Sequence, residues 1–299
     1  MTYNVKSNNQ FLRTFIYTSL ALIAFAANSV LCRKALGENR IDASGFTIIR
    51  LLSGIIMLMI LLGLSKTKIR KETKGSWYSA GMLFLYAVTF SYAYITLDTG
   101  TGALIAFGSV QITIILYSMF SGHKLHWMEG LGTMIAFSGF VYLILPGVNS
   151  PSLKGFILMT IAGIAWGIYT LNGLGSKNPL KDTAYNFTRT LPFIILLFLF
   201  TMKNISYSLE GILLAVISGA VTSGIGYTIW YIALRGLTNV QSGVVQLLVP
   251  ALAAFGGVIF VSEVISLRLI FASMLILGGI LIVTLGKNYI KKVQSKIRK

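Results

Sequence analysis

The chain has 299 residues, of which 55% are hydrophobic and only 11% charged, with a mean hydropathy of +0.78. A soluble domain carries about 25% charged residues, so this chain has too little charge to coat a soluble globule. Disorder, collagen and coiled coil are excluded by the same numbers. The formal net charge of +17, from 25 Lys and Arg against 8 Asp and Glu, has two readings. In a soluble protein it points to nucleic acid; in a membrane protein it records which loops face the cytoplasm.

A helix crosses the roughly 30 Å hydrocarbon core of a bilayer with about 20 mostly apolar residues. Ten such runs follow one another, at 14–33, 43–64, 77–97, 102–120, 127–146, 155–174, 184–201, 211–232, 240–261 and 268–286. Runs such as LLSGIIMLMILLGL (51–64) and LPFIILLFLF (191–200) lack the polar face that a soluble helix shows at its 3.6-residue period. Barrel strands, about ten residues of alternating polarity, do not match either. The expected fold is all-α: a polytopic membrane protein with ten transmembrane helices. The +17 then belongs to membrane topology, and no nucleic-acid partner is expected.

In the first run, Lys6 and Arg13 precede an apolar stretch, and Ala24-Phe25-Ala26 resembles a secretory cleavage site. The apolar stretch continues through Val30 and Leu31, and the repeat described below requires it, so the run is expected to remain as a span. Cys32 is the single cysteine, which excludes an intrachain disulfide. If the N-terminus is placed inside and the sides alternate, the inner segments hold 17 of the 25 basic residues and three of the 8 acidic ones; the outer segments hold six and five. This is a strong positive-inside bias. Both termini are therefore expected in the cytoplasm of a bacterial plasma or inner membrane.

The second half of the chain repeats the first. IAFAANSVLCRKALG (23–37) aligns with IAGIAWGIYTLNGLG (161–175), and GFTIIRLLSG (45–54) with YNFTRTLPF (185–193), which sets Arg50 opposite Arg189. VQITIILYSMFSGH (110–123) aligns with VPALAAFGGVIFVSE (249–263), and SGFVYLIL (138–145) with GGILIVTL (278–285). Two five-helix repeats follow, 1–150 and 151–299. Five crossings are an odd number, so the second repeat is expected to be inverted, as in secondary transporters that alternate access around a site near mid-membrane.

The residues also carry a family resemblance. AGIAWGIYTLNG (162–173), YIALRGLTNVQSGVVQLLVPALAAFGGVIFVSEVISL (231–267), NSVLCRKAL (28–36) and FTIIRLLSG (46–54) are similar in order and spacing to the EamA-type permeases of the drug/metabolite transporter superfamily. The resemblance implies a ten-helix 5+5 inverted repeat that moves small metabolites, amino acids and related compounds among them. The halves have diverged: Glu263, an acidic residue usual in that family, has His123 as its counterpart, and Pro250 has Gln111.

Ionisable groups inside a bilayer are costly and are candidate sites for that reason. Arg50 and Arg189 are the two basic residues inside apolar runs. Either clamps a substrate carboxylate or phosphate, or each snorkels and fixes helix packing. No Asp, Glu or His falls at mid-depth, so uncoupled facilitation or exchange is expected rather than proton antiport. His123 and His126 have metal-like spacing without a nearby cysteine, and no metal or other cofactor is expected. Trp166, Tyr169 and Gly173 share one helix face at i, i+3 and i+7, and Asn28 is the repeat counterpart of Trp166. Gln111, Tyr227, Trp230 and Gln246 come from other runs. These residues suit a cavity for a medium-sized, partly apolar substrate; the competing reading is interhelical packing and interfacial belt. Pro192 and Pro250 are candidate hinges. No GxxxxGK[ST] loop occurs, which argues against ATP-driven transport by this chain.

The alternative class is an integral membrane enzyme or a non-transporting subunit. An intramembrane aspartyl protease needs two membrane carboxylates, a serine protease a membrane Ser–His pair, and a lipid transferase an acidic or His-rich loop. None is present, and the loop at 65–76 is basic. The partners expected are a small-molecule substrate and the lipid bilayer, with the chain a monomer or homodimer.

Overall fold

The computed structural model describes residues 2–65, 74–120, 127–145, 150–202, 206–237 and 239–297. The described residues form thirteen α-helices and one π-helical stretch, with no strand beyond an isolated bridge between Ile41 and Tyr207. Five long helices account for the first half: α1 (Thr2–Gly37), α2 (Ala43–Leu64), α3 (Trp77–Ala93), α4 (Thr99–Phe120) and α5 (Trp127–Ile144). The second half opens with α6 (Leu153–Gly173) and ends with α13 (Leu267–Ile297). Between them the apolar runs are interrupted.

The seventh run is α7 (Pro179–Thr188) followed by α8 (Leu191–Thr201). The eighth is α9 (Leu209–Ile217), the π stretch Ser218–Ile225 and α10 (Gly226–Leu234); the ninth is α11 (Asn239–Gln246) and α12 (Val249–Val261). Seven helices or continuous helical runs are long and apolar enough to cross a membrane, among them Leu12–Gly37, Pro179–Thr201, Leu209–Leu234 and Gln241–Val261. Shorter apolar helices, Gly130–Leu143 and Leu267–Ile282, accompany them.

Local chemistry sets the helix starts. Asp42, Ser76, Ser152, Asn178 and Ser208 each stand at an N-cap and accept a hydrogen bond from the amide three residues on, which satisfies one of the orphan donors of the first turn. The interruptions have equally local causes. Proline lacks an amide proton and clashes with the preceding turn, and both Pro192 and Pro250 fall in the first two positions of a resumed helix, α8 and α12. Before Pro192 the Thr190 amide bonds back to the Phe187 carbonyl at 2.9 Å. Before Pro250 the Leu247 and Leu248 amides reach the carbonyls of Val244 and Val245 at 3.1 and 3.3 Å. Each break is thus a tightened turn with its amides bonded three residues back.

The helices pack with their apolar side chains outward as well as inward. Ile56, Phe200, Phe255 and Met274 are all exposed, an arrangement that water disfavours and lipid accepts. The interior is correspondingly mixed: aromatic rings and Leu side chains pack around Asn28, Arg50, Gln111 and Gln246, all buried. α5 packs on α13, α3 and α4 on α6, α1 on α10 and α12, and α2 on the π stretch. Gly219 is what lets α2 approach the π stretch: a Cβ there would collide with the Arg50 carbonyl oxygen and the Ser53 hydroxyl.

Candidate functional site

Arg50 lies seven residues into α2, hence about 10 Å along the helix at 1.5 Å per residue. It is 1% exposed. Its Nε–H donates to the Ser223 hydroxyl at 3.0 Å, and Nη2 donates to the hydroxyls of Tyr227 at 2.7 Å and Tyr86 at 3.3 Å. Nη1 has a single long contact, 4.0 Å to Cys32 Sγ. The guanidinium carbon stands 5.2 Å from the Tyr86 ring centre and 5.4 Å from that of Phe90, within cation–π range. Four elements therefore meet on one side chain.

The π stretch is essential to this meeting. In a regular α-helix, positions five apart point about 140° away from one another. The wider π turn narrows that angle, so that Ser218 reaches Asn28 and Ser223 reaches Arg50, and Tyr227 follows one α turn later. Ser218 and Thr222 donate to Asn28 Oδ1 at 2.6 and 3.1 Å, while Ser223 and Tyr227 hold Arg50. Asn28 Nδ2 in turn donates to the Tyr86 hydroxyl at 3.4 Å. Arg50 and Asn28 are thus parts of one buried polar network.

An aromatic cluster surrounds it. The Trp166 ring lies 4.5 Å from Tyr227, 5.0 Å from Tyr86 and 5.4 Å from Tyr169, centre to centre. Phe25 sets its edge on Trp166 and Trp230 at 5.3 and 5.5 Å. Trp166 Nε1 donates to Gln246 Oε1 at 3.1 Å, and Gln246 Nε2 donates to the Ser242 carbonyl at 2.8 Å. Gln111 lies against Gly243, where any Cβ would strike its amide. Asn28, Arg50, Gln111, Trp166, Tyr169, Tyr227, Trp230 and Gln246 are therefore neighbours in one buried centre, contributed by α1, α2, α4, α6, α10 and α11.

Arg189 is elsewhere. It caps the C-terminus of α7, is half-buried, donates to the Lys74 carbonyl and stands over the rings of Trp77 and Tyr185 at 5.7 and 5.8 Å. Its alignment with Arg50 in sequence does not carry over into a shared environment. The same end of α3 is tied further by Gly75 N–H to Asp182 Oδ1 at 3.1 Å and Ser76 N–H to Asn186 Oδ1 at 2.9 Å. A second clasp closes the other end of α3. Arg33 Nε donates to Glu263 at 3.0 Å and Nη2 to Asp98 at 3.3 Å, while both Glu263 oxygens accept from the Thr99 amide at the start of α4, at 3.0 and 2.9 Å. Pro192 is exposed beside the α7–α8 break, and Pro250 is buried beside the α11–α12 break. His123 and His126 lie outside the described residues. Among the described residues no three His, Cys, Asp or Glu are grouped to hold a metal.

Phe25, Cys32, Tyr86, Phe90 and Ser223 belong to the centre and were not singled out by the sequence. One signal was available: Phe25, Asn28 and Cys32 fall at i, i+3 and i+7 on α1, the same spacing that marks Trp166, Tyr169 and Gly173 on α6. Tyr86 carries no comparable mark.

Stacked apolar helices with a buried polar centre define a multi-pass membrane protein. The EamA-like transporter family matches residues 153–285. An uncharacterized protein of Pseudomonas aeruginosa is 45% identical over 271 residues, covering 91% of this chain and 94% of its own. Proteins named as uncharacterized transporters in Archaeoglobus fulgidus and Bacillus subtilis are 24% and 20% identical, over 81% and 79% of this chain and 87% and 85% of theirs. A solved crystal structure shares the fold, with a TM-score of 0.59 at 18% identity, covering 89% of this chain and 97% of that one. The chain belongs to the EamA-like transporter family, and it is a membrane transporter.

Proposed function

We propose that the protein is a secondary transporter that moves small metabolites, amino acids or related compounds among them, by alternating access between residues 1–150 and 151–299. The observation that carries this reading is the buried centre itself. Side chains from both halves converge on it, and polar clasps stand at the two ends of α3 on either side. Asn28, Arg50, Gln111, Trp166, Tyr169, Tyr227, Trp230 and Gln246 line the path. Arg189 serves the clasp at Lys74, since its guanidinium is already engaged there, and the breaks beside Pro192 and Pro250 are the hinges.

The packing pattern supports two repeats of five helices with ten crossings. Exchanging each run with its counterpart five later turns the contact of α3 with α6 into that of α1 with the run containing α10. The same exchange turns α4 on α6 into α1 on α12, and it leaves α5 on α13 unchanged. An inverted second half places both termini in the cytoplasm of a bacterial inner membrane, as the basic inner loops favour. The chain works as a monomer or homodimer without a cofactor and is not an enzyme.

Reconstitution into liposomes tests the function. Saturable counterflow of a metabolite is expected, and it should be unaffected by an imposed pH gradient, because the described carboxylates lie at helix ends or in connections. Product formation from lipid extract without solute flux would instead make the protein an enzyme.

A further inference from the structure

The buried centre leaves several hydrogen-bond donors unmet. A guanidinium has five N–H donors, and Arg50 uses Nε and Nη2 on hydroxyls while Nη1 has only the 4.0 Å contact to a thiol. Trp230 Nε1 and Gln111 Nε2 are buried with no hydrogen-bond partner, although their residues are 0% and 1% exposed. Removing such donors from water without an acceptor is unfavourable, and doing so to an unneutralised charge is more so. Among the described residues no carboxylate stands within ion-pair distance of Arg50. The hydroxyls around Arg50 solvate its charge and do not cancel it. What the centre lacks is a compact acceptor with one negative charge.

Resting on the transport reading above, we propose that Arg50 is the anion-recognising end of the substrate site and takes a carboxylate, with the substrate's flat apolar body against the rings of Tyr86, Trp166 and Tyr227. Charge selects a carboxylate. The hydroxyls of Ser223, Tyr86 and Tyr227 occupy Nε and Nη2 and hold the guanidinium in a set plane, which leaves the two N–H groups of Nη1 for an anionic oxygen. The centre has a single cation, which a monoanion balances; a phosphate monoester, at about −1.5 to −2 near neutral pH, leaves charge uncompensated in a medium that screens it poorly. The ring faces accept an aromatic or unsaturated body by stacking or edge contacts. A carboxylate of this kind is found on a free organic acid and on an α-amino acid, and the two are separated by experiment.

The test measures thermal stabilisation of the purified full chain in nanodiscs by matched compounds. The acids are benzoate, phenylacetate and indole-3-acetate; each is paired with its amide, and phenylalanine, tryptophan, phenethylammonium and phenyl phosphate are added. At least one acid or amino acid should raise the melting midpoint at a concentration tenfold below that needed by its amide, ammonium or phosphate analogue. Response to phenylacetate without phenylalanine assigns the site to free acids, and the reverse assigns it to amino acids. Equal response to acid and amide overturns the proposal, as does silence of every acid and amino acid. Arg50→Gln should abolish the acid response and Arg50→Lys should retain a weaker one; a full response in Arg50→Gln overturns the assignment. If Arg50→Gln does not fold, the acid–amide comparison on the native protein decides alone. Acid binding without exchange flux in liposomes keeps the subsite and removes the transport reading. Flux of amides or amines with no preference for acids keeps transport and removes the subsite.

Discussion

At the residue scale, the side chain that organises this protein is Arg50. Burying a guanidinium is costly unless its donors are met, and here three hydroxyls from two other helical runs meet those of Nε and Nη2. Tyr227→Phe removes the 2.7 Å bond while leaving the ring and its packing. Hydrogen bonds to charged groups contribute about 1.5–3 kcal/mol, so this change should lower the melting midpoint clearly. Tyr92→Phe, which removes only the neutral bond to Ser44, should cost about 0.5–1.5 kcal/mol and shift the midpoint less. Scanning fluorimetry of both variants checks the order. Gly219 is the second residue on which the centre depends. Gly219→Ala drives a methyl group into the Arg50 carbonyl and should destabilise by about 1–3 kcal/mol as overpacking does, with loss of monodisperse protein on size exclusion. Gly63→Ala, on the same α2 with open space around it, should be neutral or stabilising, because glycine in a helix interior is disfavoured by about 1 kcal/mol relative to alanine.

At the element scale, the interruptions divide the seventh, eighth and ninth apolar runs into shorter helices. A continuous α-helix through 211–234 would point Ser218 and Ser223 to different sides, and the π stretch lets one reach Asn28 and the other Arg50. At the breaks the amides of Thr190, Leu247 and Leu248 are met by carbonyls three residues back. The clasp of Arg33 with Glu263 joins α1 to the end of α12 and the start of α4. Glu263→Gln removes the charge of that clasp while keeping one acceptor for the Thr99 amide. Cys32, the single cysteine, is buried one residue from Arg33 and reports on it directly. Maleimide should label Cys32 slowly in the native protein and several-fold faster in Glu263→Gln; equal rates would show that the clasp does not guard this end.

At the scale of the whole molecule, the apolar lengths and the charge distribution were legible without coordinates, because both follow from the bilayer. The thickness of the hydrocarbon core sets run length, and an excess of Lys and Arg in cytoplasmic loops biases orientation, which is the basis of the proposed topology. In a Cys32→Ser background, cysteines at Lys154 and Lys177 should therefore lie on opposite sides of the membrane. An impermeant maleimide added to intact cells should label the first and spare the second; labelling of both or neither would overturn the proposed topology.

The sequence by itself determined that this chain is helical and membrane-spanning, and it marked most of the polar and aromatic residues of the centre. Hydropathy reports how deep a residue lies along its helix. It does not report which way the residue points. That direction was decided by the tertiary structure, through the π stretch that turns Ser218, Ser223 and Tyr227 together and the glycine contact that seats α2 against it. It is why Tyr86, Phe25 and Cys32 joined the centre unannounced. It is also why Arg189, the sequence counterpart of Arg50, became a clasp at Lys74 while Arg50 was left buried among hydroxyls and rings.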